Sequence, residues 1–450
     1  MKNIYRLHRR EKIAMNNNYT LFNRQSLQNY FSIDEDLEDA VDFLKSPASF
    51  RSFDLGLKEL LRKKGYTGSE ENGEMADYLY AKLKALPSDI ERETVYAWFA
   101  GKHRPKIEAG SRRRIYEICF ALQLDYEETL WFFHHVYYDR AFNCHTVDEA
   151  VFYYALLHGN TWREALNVIN AVENANDDGL AGKGTDDGEP PFYTQYVQCK
   201  ISDFSSTWEL EEFLIANRDS FHSWNSTALN VINELMRELT GDEDAKLKID
   251  NLKRTLSRRI SSGNAVKDLP LISKKDYDSF GLLIKEILFD AQNSADSPAE
   301  YLLETIGGKN IRANTFVLDR LLCTVSGMPK NIDIPYVVRN NFPGKKVMSD
   351  VLDATKISTS KSYDSIRKMI VLLDFYAFWA CIKVGISDVS DIDKSTLYEI
   401  YQEEADSRLK LCGYENLYAG NPYDWIFLCA SHSEDPLAFF RAYIADLLPE

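Results

Sequence analysis

The chain has no apolar run near the roughly 18 residues that a membrane-spanning helix requires, so no membrane partner is expected. Residues 1–19 carry basic side chains but no apolar segment, and they do not read as a secretory signal. Cysteine is sparse and odd in number: Cys119, Cys144, Cys199, Cys323, Cys381, Cys412 and Cys429. None forms a CxxC pair, and buried thiols in a reducing cytoplasm are the simplest reading. Strict apolar–polar alternation, the mark of half-buried strands, is also scarce. No internal repeat of fixed period appears, so a solenoid is not expected. No nucleophile–base pair stands out, and neither an enzyme nor a cofactor is expected.

What remains is a long, helix-rich globular chain. At 450 residues it is too large for one ordinary core, and two to four domains are expected. Its 45% hydrophobic and 27% charged residues fit that class. Apolar residues recur at helical spacing over residues 53–66, 74–86, 91–100, 111–124 and 126–138, with Asp125 as an N-cap. Residues 145–158 and 162–175 read as an antiparallel pair, with Thr161 and Glu164 forming a capping box. Residues 176–191, rich in Gly and Asp, read as a linker. Helical patterns follow at 207–217, 226–239, 244–259, 276–293, 298–306, 313–324, 345–354, 363–384, 393–412 and 436–448, with breaks at 261–271 and 328–343. The expected fold is all-α: an N-terminal five-helix bundle of helix-turn-helix type, then a large multi-helical body. The expected partition is a helical or flexible extension at 1–50, a DNA-binding domain at 51–140, a helical domain at 141–260 containing the linker, and a C-terminal helical domain at 261–450.

Function is most legible in the stretch ERETVYAWFAGKHRP, residues 91–105. A short helix, a glycine stop, a basic turn and a second amphipathic helix form the C-terminal half of a helix-turn-helix unit. A recognition helix needs one apolar face for its own bundle and one polar face for base edges in a major groove about 12 Å wide. Here Val95, Trp98 and Phe99 occupy the inward positions, and Arg92, Glu93, Tyr96 and Ala97 the outward ones. Gly101 stops the helix where a left-handed backbone is required. Lys102, His103, Arg104 and Lys106, with Arg112, Arg113 and Arg114 on the next helix, are expected at phosphate height. Residues 51–115 hold fourteen Lys and Arg against ten Asp and Glu, a balance of +4 in a chain of net charge −16, which leaves −20 elsewhere. A basic module on an acidic body suits selective DNA contact, because the body repels DNA outside the intended face.

In this stretch the chain resembles the lambda-repressor-like helix-turn-helix regulators of bacteria and phages, the xenobiotic-response-element family. Their third helix reads S-x-x-T-[IV]-x-x-W-x-x-G-x-x-x-P, and Thr94, Val95, Trp98, Gly101 and Pro105 match in order and spacing. The resemblance covers roughly residues 53–138. It implies that Arg92, Glu93, Thr94, Tyr96 and Ala97 meet the DNA. The sequence departs from the family in its extended second helix and in carrying Arg92, Glu93 and Tyr96 where Gln or Ser is usual. On this resemblance the protein is expected to be a cytoplasmic, sequence-specific transcriptional regulator of bacterial or phage type that binds double-stranded DNA as a homodimer, with the helical body serving dimerisation, sensing of a protein or small-molecule effector, or partner binding. The competing reading is a protein–protein interaction scaffold, in defence or mobile-element control, whose helix-turn-helix has lost DNA contact.

Other constellations carry less. His134, His135, Cys144 and His145, with Cys119, do not have the directions that four zinc ligands need, so no metal is expected. Residues 174–185 begin like a calcium loop, but Thr185 stands where a bidentate Glu belongs. The run Gly182-Lys183-Gly184-Thr185 lacks phosphate-loop spacing. Residues 340–368 admit a second helix-turn-helix with Arg367 and Lys368, against a plain core helix carrying Ile370, Leu373, Phe375, Phe378 and Trp379.

Overall fold

A computed structural model describes residues 36–46, 48–86, 88–102, 104–105, 109–144, 146–175, 194–221, 226–239, 243–261, 349–350, 359–385 and 394–446. The fold is all-α, and among the described residues there is no strand. The sequence-predicted helices within 276–354 fall almost wholly outside the described residues, as does the 176–191 linker. No described helix is long and apolar enough to cross a membrane.

The helices gather around two apolar cores. The first, here the head, is built by α2 (Phe53–Lys63), α3 (Asn72–Lys84), α4 (Arg92–Phe99), α5 (Ala109–Ala121), α6 (Tyr126–Phe132), α7 (Val147–His158), α8 (Trp162–Asn174), α9 (Thr194–Ser202), α10 (Thr207–Ala216) and α11 (Arg218–Phe221). The second, the body, is built by α1 (Asp36–Lys45), α12 (Ser226–Glu238), α13 (Glu243–Ser261), α14 (Thr359–Gly385), α15 (Lys394–Leu411), α16 (Pro422–Ser431) and α17 (Pro436–Asp446).

Contacts cross the expected boundaries in two places. The first lies near residue 140. Tyr116 and Phe120 of α5 meet Phe142, Phe152 and Trp162 at ring distances of 4.9–5.9 Å, so one aromatic cluster spans the expected boundary. Local periodicity does not reveal it, because those rings come from three segments. The second joins Ala40 and Phe43 to the body. Phe43 stacks on Trp425 at 4.7 Å, and Tyr443 donates its hydroxyl to the Ala40 carbonyl at 2.8 Å. The α1 segment therefore closes the body core from the other end of the chain.

Local chemistry accounts for the helix ends. Asp125 accepts from the Glu128 amide at 2.8 Å while its own amide donates to the Glu128 carboxylate at 3.0 Å, a complete capping box. Thr161 and Glu164 make the same exchange. At its far end α6 widens into a π-turn at Phe133–Tyr137 and stops at Tyr138, whose φ is +58°. That irregular exit ties head to body. The Tyr138 hydroxyl donates to the Arg51 carbonyl at 2.8 Å, and Arg140 reaches the Gly413 carbonyl at 3.0 Å and the Glu415 carboxylate at 3.3 Å.

The axis of the body is α14, buried on every side from Ile366 to Ile382. A helix apolar all round belongs in a core. This is the scaffold alternative for the 340–368 region: Arg367 clamps Asp424 with two bonds of 2.8 and 2.7 Å, and Lys368 holds Asp364 at 2.6 Å. Neither cation faces outward as a second nucleic-acid surface would require; the preceding segment lies outside the described residues. Beyond Arg367 and Lys368, a third charge interrupts the apolar axis. Asp374 is met by Arg408 at 3.2 Å and Lys248 at 3.8 Å, and Lys248 also binds Glu238 at 3.1 Å and Glu404 at 3.4 Å. Burial pushes the Asp374 carboxyl up, against the pull of these two cations.

Candidate nucleic-acid interface

A short turn joins α3 to α4, and the apolar side of α4 faces inward. Val95, Trp98 and Phe99 are at most 1% exposed, and Trp98 meets Phe53 edge-on at 6.0 Å. After α4 the Gly101 amide donates to Trp98 and the Lys102 amide to Ala97, each at 3.1 Å. The φ of +68° at Gly101 makes this closure possible, and a side chain there would be strained. The turn from α3 is anchored by Ser88, whose hydroxyl donates to the buried Glu117 and accepts from the Ile90 amide.

With the apolar side of α4 fixed inward, Arg92 and Glu93 are exposed, while Thr94, Tyr96 and Ala97 are half-buried. Arg92 is not loose. Its Nε and Nη2 donate to one oxygen of Asp77 on α3 at 2.9 and 2.7 Å, and Nη2 also donates to the Tyr96 hydroxyl at 3.0 Å. The Tyr96 hydroxyl and then Arg92 hold the Asp77 carboxyl below the usual carboxylate range, and Asp77 in turn raises both Arg92 and Tyr96. Asp77 is the partner of Arg92 that sequence reading missed. It lies fifteen residues before Arg92 on a different helix, and no local spacing couples the two.

The basic residues expected at phosphate height separate into groups. Lys102 and Arg114 are exposed, and His103 and Lys106 lie outside the described residues. Arg113 is exposed but binds Asp148 at 3.0 Å, with Glu117 at 3.9 Å. Arg104 and Arg112 contradict the expectation. Arg104 is 6% exposed and donates toward the Tyr137 carbonyl at 3.5 Å. Arg112 is 4% exposed and lies inside the head. Its Nη1 binds Asp139, its Nε binds Glu149 at 2.7 Å, and its Nη2 donates to the Arg140 carbonyl at 3.0 Å. Burial alone would depress its pKa; Asp139 and then Glu149 overcome this and hold it well above the ordinary value. In the sequence Arg112 looks like Arg113 and Arg114. Only the path of residues 139–149 places two carboxylates over one of the three.

Burial of Arg104 and Arg112 takes two cations from the surface, and the α3–α4 stretch has no positive excess of its own. Residues 71–102 contain six acidic residues (Glu71, Glu74, Asp77, Asp89, Glu91, Glu93) and four basic ones (Lys82, Lys84, Arg92, Lys102), a balance of −2.

His134 and His135, weighed as metal ligands, face different neighbours. His134 sits 3.8 Å from Glu415, while His135 lies against Trp131, where burial lowers its pKa to about 4. Cys119 and Cys144 are buried, and burial raises both thiols. His145 lies outside the described residues. No protein-family model, curated protein or solved structure matches this chain.

Proposed function

We propose that the head is a helix-turn-helix module, similar to the lambda-repressor-like regulators of bacteria and phages, that binds a specific double-stranded DNA site through α4. The observation that supports this reading most is the division of α4: Val95, Trp98 and Phe99 are buried and Arg92 and Glu93 exposed, with Lys102 just past a glycine stop. A helix held by one face leaves the other for the major groove. In this reading Arg92 exchanges Asp77 for a base edge, with Tyr96 and Ala97 beside it, and Lys102, Arg113 and Arg114 meet phosphates. The body holds two heads at the half-site spacing of about 34 Å in a homodimer, and its acidic surface stays off the duplex. A protein or small-molecule effector acting on the body sets occupancy.

The second reading, a protein-interaction scaffold in which the helix-turn-helix no longer meets DNA, is favoured by one observation. Arg104 and Arg112 are buried and Arg92 is paired with Asp77, so the face has little unopposed positive charge. Selection of bound fragments from random duplex DNA by the full-length protein, followed by salt titration, separates the two. DNA binding predicts an enriched motif and a log–log salt slope of about −0.9 per phosphate contact. No enrichment and no salt-dependent binding would reject it. Light scattering on the same sample tests the homodimer.

A further inference from the structure

We infer that the head carries a ligand cleft for a small organic cation with an apolar body, where the turns α5–α6 and α7–α8 meet. The cleft has a volume of about 740 Å³, within the range of roughly 300–1,000 Å³ typical of small-molecule sites. Its floor is apolar, formed by Phe120, Leu124, Leu156 and Trp162. Apart from Tyr126, its titratable side chains are Asp125, Glu127 and His158, and among the described residues no Lys or Arg lines it. Lys64 lies on this side of α2, but its ammonium is held by Glu128 at 2.8 Å and by the Gln123 carbonyl at 3.0 Å. Tyr126, stacked on Phe142 at 5.7 Å, adds an aromatic ring to the wall. An acidic rim over an aromatic, apolar floor selects a cation that has hydrocarbon to bury.

Two lip residues set the mouth of the cleft. Gln123 follows α5 with φ +52°, in the left-handed position usually given to glycine. A non-glycine residue accepted there places an exposed primary amide on the rim, and strained residues of this kind concentrate at binding sites. On the opposite lip Gly159 takes φ +71° without strain and sends no side chain into the mouth. Leu86, which follows α3, forms one wall. Occupation of the cleft does not depend on whether the head binds DNA, so the two readings fail separately.

Calorimetric titration of the full-length protein with benzyltrimethylammonium, phenylacetate and benzyl alcohol tests the assignment. The ammonium ion is expected to bind at least about tenfold more tightly than the carboxylate, the size of a 1.4 kcal/mol preference. Glu127→Lys, an exposed position, is expected to abolish that preference. Asn160→Trp, which places a ring in the mouth, is expected to remove binding of the ammonium ion while leaving the thermal melt unchanged. Absence of binding at millimolar ammonium, equal binding of ammonium and carboxylate, or wild-type affinity in a folded Asn160→Trp variant would each overturn the proposal.

Discussion

Replacing Arg112 with Met should damage stability and leave DNA contact alone, the reverse of what its place in a run of three arginines suggests. Arg112 is 4% exposed and carries the only cation bonded to both Asp139 and Glu149 among the described residues. Methionine keeps much of the volume and the contact with the Phe133 ring, which lies 5.3 Å from the guanidinium carbon. It leaves two buried carboxylates uncompensated, together with the Arg140 carbonyl that Arg112 now satisfies; the Ala141 carbonyl keeps the Tyr116 hydroxyl as a donor. Breaking a buried pair by removing one partner costs about 3–5 kcal/mol. That is a large fraction of the roughly 5–15 kcal/mol that stabilises a folded domain. Urea unfolding of the full chain, followed by tryptophan fluorescence, should show the head transition moving to clearly lower denaturant. Combining Arg112→Met with Asp139→Asn and Glu149→Gln should recover much of the loss, because no charge is then stranded. An Arg112→Met protein that unfolds at the wild-type midpoint, or one that is equally stable but loses about one unit of DNA salt slope, would refute the reasoning and return Arg112 to the surface.

Trp98→Ala should cost about 3–5 kcal/mol, as for large aromatic truncations in a core; a loss below 1 kcal/mol in the same urea assay would mean that Trp98 does not centre the head. In anisotropy titrations Lys102→Ala should weaken all duplexes alike and flatten the salt slope by about one. Arg92→Ala should instead lower discrimination at one base position by roughly 5- to 150-fold; identical behaviour of the two variants would remove the recognition role of α4. Asp406 offers a pH test, since burial holds its carboxyl up at about 6 while the Leu417 amide donates to it at 2.7 Å. A raised carboxyl pKa favours the protonated folded form, so its contribution is complete below about pH 4 and is lost as pH rises through about 6. Asp406→Asn keeps the acceptor for Leu417 without the charge and should raise the melting temperature at pH 8 but not at pH 4; an equal shift at both would show that the carboxyl titrates normally.

The sequence determined the helical class, because apolar residues recur at helical spacing and caps such as Asp125 and Thr161 act within three residues. It also determined the orientation of α4, since Trp98 and Gly101 define an inward face and a stop through neighbours on one short segment. It did not single out α16, which is buried on all sides and so has no polar face to give a period. Tertiary structure alone decided which charges are surface and which are interior. Arg112, Arg113 and Arg114 are chemically alike, yet the return of residues 139–149 over α5 buries the first and leaves the other two exposed. Asp77 meets Arg92, α1 joins a body assembled some 190 residues later, and the lining of the α5–α6/α7–α8 cleft converges from separate turns. Each of these is a long-range juxtaposition. The free energy of a charge depends on what stands within a few ångströms of it, and sequence spacing fixes that neighbourhood only within a single helix or turn.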